Sequence, residues 1–157
     1  MKTAVNPWTT SSATLAVAGM IIVGIGLYFI ALRPPLLPED IRYMNLSAAE
    51  LEAIGPRLAM WLSQVFRVLG GYALATGALL VALAFTAFRA RHPVAVTGAL
   101  VGGASSIGLM SAVNFTLGSE FRWPLFACAL VWAVSLIAYG LESSRNHQPL
   151  TNKEPVP

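Results

Sequence analysis

Residues 66–88 read FRVLGGYALATGALLVALAFTAF, an apolar run with a single charged side chain, Arg67, near its start. The hydrocarbon core of a bilayer is about 30 Å thick, and a helix needs about 20 apolar residues to cross it. The run meets that length, and the charged segment RARHP at residues 89–93 ends it. It therefore predicts a helix that spans a membrane.

Three further apolar runs flank this one, at residues 13–32, 94–117 and 123–141. The chain of 157 residues is 56% hydrophobic and only 11% charged, whereas soluble domains carry about 25% charged residues. The first run is longer than the apolar part of a signal peptide, so we expect it to remain as a helix. The sequence predicts an all-α fold, a polytopic membrane four-helix bundle formed by one domain over residues 1–157.

The longest segment outside the predicted spans is residues 33–65, and a polar tail covers residues 142–157. Three prolines between residues 34 and 38 predict that the segment leaves the membrane in an extended conformation. A connector of a few residues would join two helices. We therefore expect residues 33–65 to form an ordered cap on one end of the bundle.

A short extramembrane helix is predicted inside this loop. Ser47 and Glu50 have the spacing of a capping box, in which each side chain binds a backbone N–H of the other residue. We expect this helix to end at Gly55, with Pro56 at the first position of the next one. From Pro56 to residue 88 the helical pattern covers about 50 Å. The helix is therefore expected either to project from the membrane or to bend at the glycines of residues 70–71.

Small residues are candidates for helix packing, because helices in lipid associate where their backbones approach closely. One face of the second span combines small residues with Arg67, and the third span contains a GxxxG motif. The candidate packing residues are Gly71, Ala75, Ala78, Gly98 and Gly102. We interpret them as contacts within the bundle, and a dimer contact is the alternative.

Asn114 lies on the side of the third span opposite Gly98. Because both sides of that span are small or polar, we expect it to be central in the bundle, with the first and fourth spans facing lipid. A side-chain amide at membrane depth requires a hydrogen-bond partner. We interpret Asn114 as a structural contact between helices, and a ligand contact or a place on a conduction path is the alternative.

Polar residues are also predicted to gather at the end of the bundle that carries the loop. The candidate binding cluster is Arg67, Asn114, Glu120 and Arg122. Ionisable groups at membrane depth are functional candidates, although an arginine near a helix end can extend to the lipid head groups. We expect an Arg67–Glu120 ion pair, and a site for an anionic head group or a small acid is the alternative.

Several kinds of chemistry lack the residues they need. Cys128 is the one cysteine, so the sequence has no disulfide and no CxxC redox pair. Both histidines lie in polar segments without an acidic or cysteine partner at ligand spacing, so we expect no metal and no cofactor. The charges flank apolar runs and form no patch, which argues against a nucleic-acid partner. No catalytic residues stand out, and we expect no enzymatic activity.

The segment LRPPLLPED at residues 32–40 follows the first span, and VLGGY at residues 68–72 opens the second. With four spans, this layout resembles the small uncharacterised four-helix proteins of the bacterial inner membrane over residues 14–140. The resemblance implies a membrane location and no particular activity. The chain lacks the glutamate that small multidrug transporters carry in their first helix. It also lacks the paired cysteines of vitamin K epoxide reductase-type enzymes and the facing histidines of haem-binding bundles.

Four crossings place both ends of the chain on the side of residues 89–93. The two sides of the membrane carry equal numbers of Lys and Arg. Because Arg89 and Arg91 are closely spaced in a short loop, we expect that loop and both chain ends to be cytoplasmic, with the protein in the inner (plasma) membrane. We expect a non-enzymatic accessory or assembly subunit that acts through helix–helix contacts. Its expected partners are membrane lipids and another membrane protein or a second copy of the chain. The alternative is a protein that binds or transports a small solute or a lipid through the polar cluster.

Overall fold

A computed structural model describes residues 9–146 of the protein. Within this range the helices are α1 Thr10–Ala31, α2 Pro38–Met44, α3 Ala48–Phe85, α4 Pro93–Gly103, α5 Leu109–Thr116 and α6 Arg122–Asn146. A π-helical turn over Ala104–Gly108 joins α4 to α5, and together they form the third span. Of the predicted polar tail, residues 142–146 continue α6, and residues 147–157 lie outside the described range.

Four helices in the described range are long and apolar enough to cross a membrane. They are Thr10–Ala31, Gly55–Phe85, Pro93–Thr116 and Arg122–Ser144. The prediction of an all-α, multi-pass membrane bundle is therefore confirmed. Three of the helices begin and end within three residues of their predicted spans, whereas the second begins at Gly55 and not at residue 66. We call the end that carries α2 the cap end. The opposite end, with residues 86–92 and both ends of the described chain, is the terminal end.

The antiparallel helices α1 and α3 form the most extensive contact of the bundle. Two glycines on each helix, spaced by seven residues, meet across it. A Cβ atom built on Gly77 would lie 2.6 Å from the carbonyl oxygen of Gly19, and one built on Gly70 would lie 2.7 Å from that of Gly26. Residues seven apart stay on nearly the same face of a helix. Glycine therefore keeps the two backbones in close contact along the helices.

Helix α6 packs against α1 and against the third span. The indole ring of Trp132 occupies the space where a side chain on Gly103 would stand. Its Nε1–H donates a hydrogen bond of 2.9 Å to the carbonyl oxygen of Ala99. The buried apolar core comprises Leu15, Ala18, Ile22, Leu80, Ala84, Phe88, Ala95, Ala99 and Ile107. Helix α6 is the least buried span, which agrees with the expectation that it faces lipid. Helix α1 was expected to face lipid as well, but it contributes residues to the buried core.

The small residues predicted to pack on α3 lie on its exposed side. Gly71, Ala75 and Ala78 are exposed, and a Cβ built on Gly71 would meet no atom within 4 Å. For contacts within the bundle the prediction selected the wrong face, because the neighbouring glycine, Gly70, lies 100° around the helix and makes the close contact. The alternative of a contact with a second chain stays a prediction. In the third span, a Cβ on Gly98 or Gly102 would lie 3.6 or 3.5 Å from a leucine methyl group of α3, an ordinary van der Waals distance.

The short extramembrane helix exists, but it lies earlier than predicted, at Pro38–Met44. The capping box at Ser47 begins α3, which continues through Gly55, Pro56 and residues 70–71 to Phe85. Proline costs a helix one backbone hydrogen bond. At Pro56 the freed carbonyl belongs to the exposed Glu52, where water can bind it. The 38 residues of α3 extend over about 57 Å, so the helix projects from the membrane at the cap end.

A polar contact closes the terminal end of the bundle. Arg91 forms an ion pair with Glu142 and donates a hydrogen bond of 3.1 Å to the carbonyl oxygen of Tyr139. Ser11 donates to the same carboxylate from its hydroxyl at 2.6 Å and from its backbone N–H at 3.2 Å. Arg91 adopts a φ of 61°, in the left-handed region. These contacts hold the start of α1, the turn before α4 and the end of α6 together.

Candidate functional site

A cavity of about 420 Å³ opens at the cap end, between α1, α2, α5 and the start of α6. Binding pockets for small molecules occupy about 300–1,000 Å³ and are mostly apolar with a few polar groups. The cavity fits that description. Its lining residues are Ile21, Gly24, Ile25, Tyr28, Phe29, Arg33, Leu37, Glu39, Asp40, Met110, Asn114, Leu117, Ser119, Phe121 and Leu125. We call it the cap cavity.

The local sequence around α2 explains how the acidic residues reach the cap cavity. Pro38 stands at the first position of α2, where its missing N–H costs no hydrogen bond. The Asp40 carboxylate accepts a hydrogen bond of 2.9 Å from the backbone N–H of Leu37, which caps the start of the helix. Asn45 then ends α2 with a left-handed φ of 52°. Helix α2 is thereby a defined short element that presents Glu39 and Asp40 to the bundle.

Arg33 closes one side of the cap cavity. Its guanidinium forms an ion pair of 3.3 Å with Asp40 and donates a hydrogen bond of 3.0 Å to the carbonyl oxygen of Pro34. The same group lies 3.4 Å from the ring centroid of Phe66 and 5.3 Å from that of Phe29. Burial lowers the pKa of Arg33 and the carboxylate of Asp40 opposes that shift. Because an arginine in a protein stays protonated, the Arg33–Asp40 pair carries no net charge.

Glu39 is the most deeply buried acidic residue of the site, with 5% of its surface exposed. Its Oε1 accepts a hydrogen bond of 3.0 Å from the hydroxyl of Ser119, which in turn accepts one of 3.1 Å from the N–H of Phe121. These bonds connect α2 to the turn between α5 and α6. Among residues 9–146 Glu39 forms no ion pair, so its one hydrogen-bond partner there is the hydroxyl of Ser119, and the Arg33 charge acts on it at longer range.

Asn114 lies where two cavities adjoin. Its Nδ2 donates a hydrogen bond of 2.9 Å to the carbonyl oxygen of Met110, one turn earlier in the same helix. The expected hydrogen bond to another helix is not formed within the described range. The amide lines the cap cavity and also a neighbouring cavity of about 350 Å³ between α3 and the third span. Phe29 and Met110 line both spaces as well.

The remaining residues of the predicted binding cluster lie elsewhere. Arg67 is exposed on α3, where its guanidinium is 3.4 Å from the amide oxygen of Gln64. Glu120 is exposed and Arg122 is half-buried. None of the three lines the cap cavity, and the predicted Arg67–Glu120 ion pair is wrong. Of the four predicted residues, only Asn114 lies in the cavity wall.

Glu39 and Asp40 are not among the site residues predicted from the sequence. The sequence nevertheless indicates a helix start at Pro38. A proline followed by two acidic residues is typical of such a position, where the helix dipole favours negative charge. In the sequence-based prediction, the prolines between residues 34 and 38 indicate only an extended segment and no helix start. The pairing of Arg33 with Asp40 depends on where α2 folds.

The described part of the chain brings together no group of three or more His, Cys, Asp or Glu residues that would hold a metal ion. Comparisons with protein-family models, with curated proteins and with solved structures find no match to this chain. The shape and lining of the cap cavity are therefore the features that indicate a function.

Proposed function

We propose that the protein binds an amphiphilic molecule, such as a lipid or a lipid-like solute, in the cap cavity. The observation that carries this proposal is the polarity gradient along the cavity. Ile21, Ile25 and Met110 lie at the membrane-embedded end, and Arg33 and Glu39 lie at the cap. A lipid has the same gradient, with its chain in the bilayer core and its head group at the surface.

The dimensions of the cavity agree with this proposal. Along α1 its wall extends from Ile21 to Phe29, a rise of about 12 Å. That length accommodates part of an alkyl chain beneath the head group. A neighbouring cavity beside Thr76 and Ser106 lies between α3 and the third span and shares Phe29, Met110 and Asn114 with the wall of the cap cavity.

Filling the cap cavity tests the proposal. A Cβ built on Gly24 meets no atom within 4 Å, so Gly24→Leu should place its side chain in the cavity and leave the helix contacts intact. The purified protein in nanodiscs is labelled with a photoreactive phospholipid, and the labelled peptides are identified by mass spectrometry. We expect Gly24→Leu to reduce labelling of residues 110–125 by about tenfold, because apolar volume is removed from the site.

Gly140→Leu is the matched control. A Cβ on Gly140 also meets no atom within 4 Å, and Gly140 lies on α6 outside the cavity wall. Its labelling should equal that of the unmodified protein. Equal labelling of the two leucine variants would mean that lipid contacts only the outer surface, and the proposal would then be wrong.

A second candidate function is that of a non-enzymatic accessory or assembly subunit. Its support is the exposed small-residue face of α3, formed by Gly71, Ala75 and Ala78, which is suited to close contact with another membrane helix. The partner would be another membrane protein or a second copy of this chain. Cysteine crosslinking at Ala75, with Val134 of the exposed face of α6 as the control, tests it in native membranes. Equal crosslinking at the two positions would argue against a specific contact.

For both functions we propose a location in a bacterial inner membrane with cytoplasmic chain ends. The support is the cluster of Arg89 and Arg91 in the short turn before α4, since short cytoplasmic loops are enriched in Lys and Arg. The cap cavity would then open towards the outside of the cell. Fusion of a fluorescent protein or of alkaline phosphatase to the C-terminus reports the orientation, since only the former is active in the cytoplasm.

A further inference from the structure

We propose that the head group bound in the cap cavity is cationic, such as an amine or a quaternary ammonium group, and that Glu39 is its counter-ion. The inference rests on the proposed binding of an amphiphile and adds the charge of its head group. Three charged residues line the cavity: Arg33, Glu39 and Asp40. The lining therefore contains one more acidic than basic side chain, which favours a positively charged ligand.

Arg33 is not available for an anionic head group. Its guanidinium is engaged by Asp40, by the carbonyl oxygen of Pro34 and by the face of Phe66, and 9% of its side chain is exposed. Recruiting it to a phosphate would break the ion pair with Asp40 and leave that carboxylate with the backbone N–H of Leu37 but without its countercharge. Breaking such a buried pair is costly. The positive charge of the site is therefore already neutralised.

One arginine faces two carboxylates here: Arg33 is paired with Asp40, and its charge acts on Glu39 only at longer range, without an ion pair. A buried charge is normally paired or bound to a cation, because removing it from water is otherwise unfavourable. The hydroxyl of Ser119 donates one hydrogen bond to Oε1, and the structure shows no donor for Oε2 among residues 9–146. Glu39 lines the cavity, so an ammonium group in the cavity would supply the missing ion-pair partner.

The aromatic residues of the wall agree with a cation. Tyr28 and Phe121 line the same end of the cavity as Glu39. Aromatic faces attract ammonium groups, and quaternary ammonium ligands are commonly held by aromatic side chains. A carboxylate combined with aromatic rings therefore favours a cation over a phosphate of the same size.

A head-group series in nanodiscs of neutral lipid tests the inference. Three probes share one hexadecyl chain with a diazirine and end in trimethylammonium, phosphocholine or phosphate. We expect the trimethylammonium probe to label the cavity peptides of the unmodified protein about tenfold more strongly than the phosphate probe, since a tenfold ratio corresponds to a modest difference in binding energy. Glu39→Gln should abolish this preference.

Glu50→Gln is the matched control, because Glu50 is an exposed residue of α3 that does not line the cavity; it should keep the preference. Equal labelling by all three probes, blocked by Gly24→Leu, would overturn the cation inference and support the proposed function. Labelling that Gly24→Leu does not reduce would overturn both. The comparison of probes on the unmodified protein needs no variant, so it decides the inference even if Glu39→Gln fails to fold.

Discussion

Four glycines determine how closely α1 and α3 approach. At Gly19, Gly26, Gly70 and Gly77 a Cβ atom would lie within 3.0 Å of the opposite helix, a distance that real Cβ atoms do not tolerate. The opposite atoms include backbone carbonyl oxygens, which cannot move without displacing a helix. In lipid, where helices gain little from burying apolar surface, such close van der Waals contact supplies much of the association energy.

The adjacent glycines Gly70 and Gly71 offer a matched test of this contact. Gly70→Ala should lower the free energy of unfolding by about 1–3 kcal/mol, the usual cost of inserting an atom into a well-packed contact. Gly71→Ala should leave it unchanged or raise it by less than about 1 kcal/mol, because alanine favours a helix more than glycine. The measurement is chemical unfolding in detergent followed by circular dichroism. Equal effects of the two variants would contradict the assigned face.

At the scale of single elements, the ends of α2 and α3 are fixed by local hydrogen bonds. In α3, Ser47 and Glu50 form the capping box: the backbone N–H of Ser47 donates to Oε2 of Glu50 at 2.9 Å, and the N–H of Glu50 donates to the hydroxyl of Ser47 at 3.3 Å. These bonds need no tertiary contact, which is why the sequence alone located them. The π-helical turn of the third span has no such local signal.

The capping box predicts a pH dependence at the start of α3. The hydrogen bonds from Ser47 hold the pKa of Glu50 below its ordinary value. A lowered folded-state pKa means that the stabilisation is complete above the unfolded-state pKa and is lost as the pH falls through the folded-state value. Amide hydrogen exchange of residues 48–53 should therefore accelerate below about pH 4, after correction for the intrinsic exchange rate. Glu50→Gln should remove this pH dependence; if it persists, another group is responsible.

The whole bundle has one closed end and one open end. At the terminal end, Arg91, Glu142 and Ser11 join three segments that are distant in sequence. At the cap end, α2 lies over a cavity between α1 and the third span, and a second cavity lies beside α3. The cap end has polar contacts of its own, but it also contains a cavity, which agrees with the proposed binding of a ligand there.

Breaking the terminal contact should destabilise the whole molecule. Glu142→Gln removes the charge that Arg91 and Ser11 bind, and hydrogen bonds to charged groups contribute about 1.5–3 kcal/mol. We expect the free energy of unfolding to fall by about 2 kcal/mol. The exposed Glu120 forms no ion pair in the described part of the chain, so Glu120→Gln serves as the control. An unchanged unfolding midpoint for Glu142→Gln would show that the contact is not stabilising.

The candidate site was predictable only in part. Asn114 and the cap end can be predicted from the sequence, because a polar side chain within an apolar run is recognisable there. The position of Arg67 in the second span makes it a candidate, but in the folded α3 its side chain is exposed. Glu39 was not selected, because it lies outside every span, and only the folding of α2 over the bundle buries it.

The sequence by itself determined the four apolar spans and the capping box at Ser47. Each of these depends on segment length, hydropathy or local hydrogen bonding, which neighbouring residues decide. Only the tertiary structure decided which face of α3 meets α1 and that Glu39 and Arg33 line a common cavity. The physical reason is that lipid is as apolar as the bundle interior. Hydropathy therefore does not distinguish Gly70 from Gly71, and only the fit between helix surfaces does.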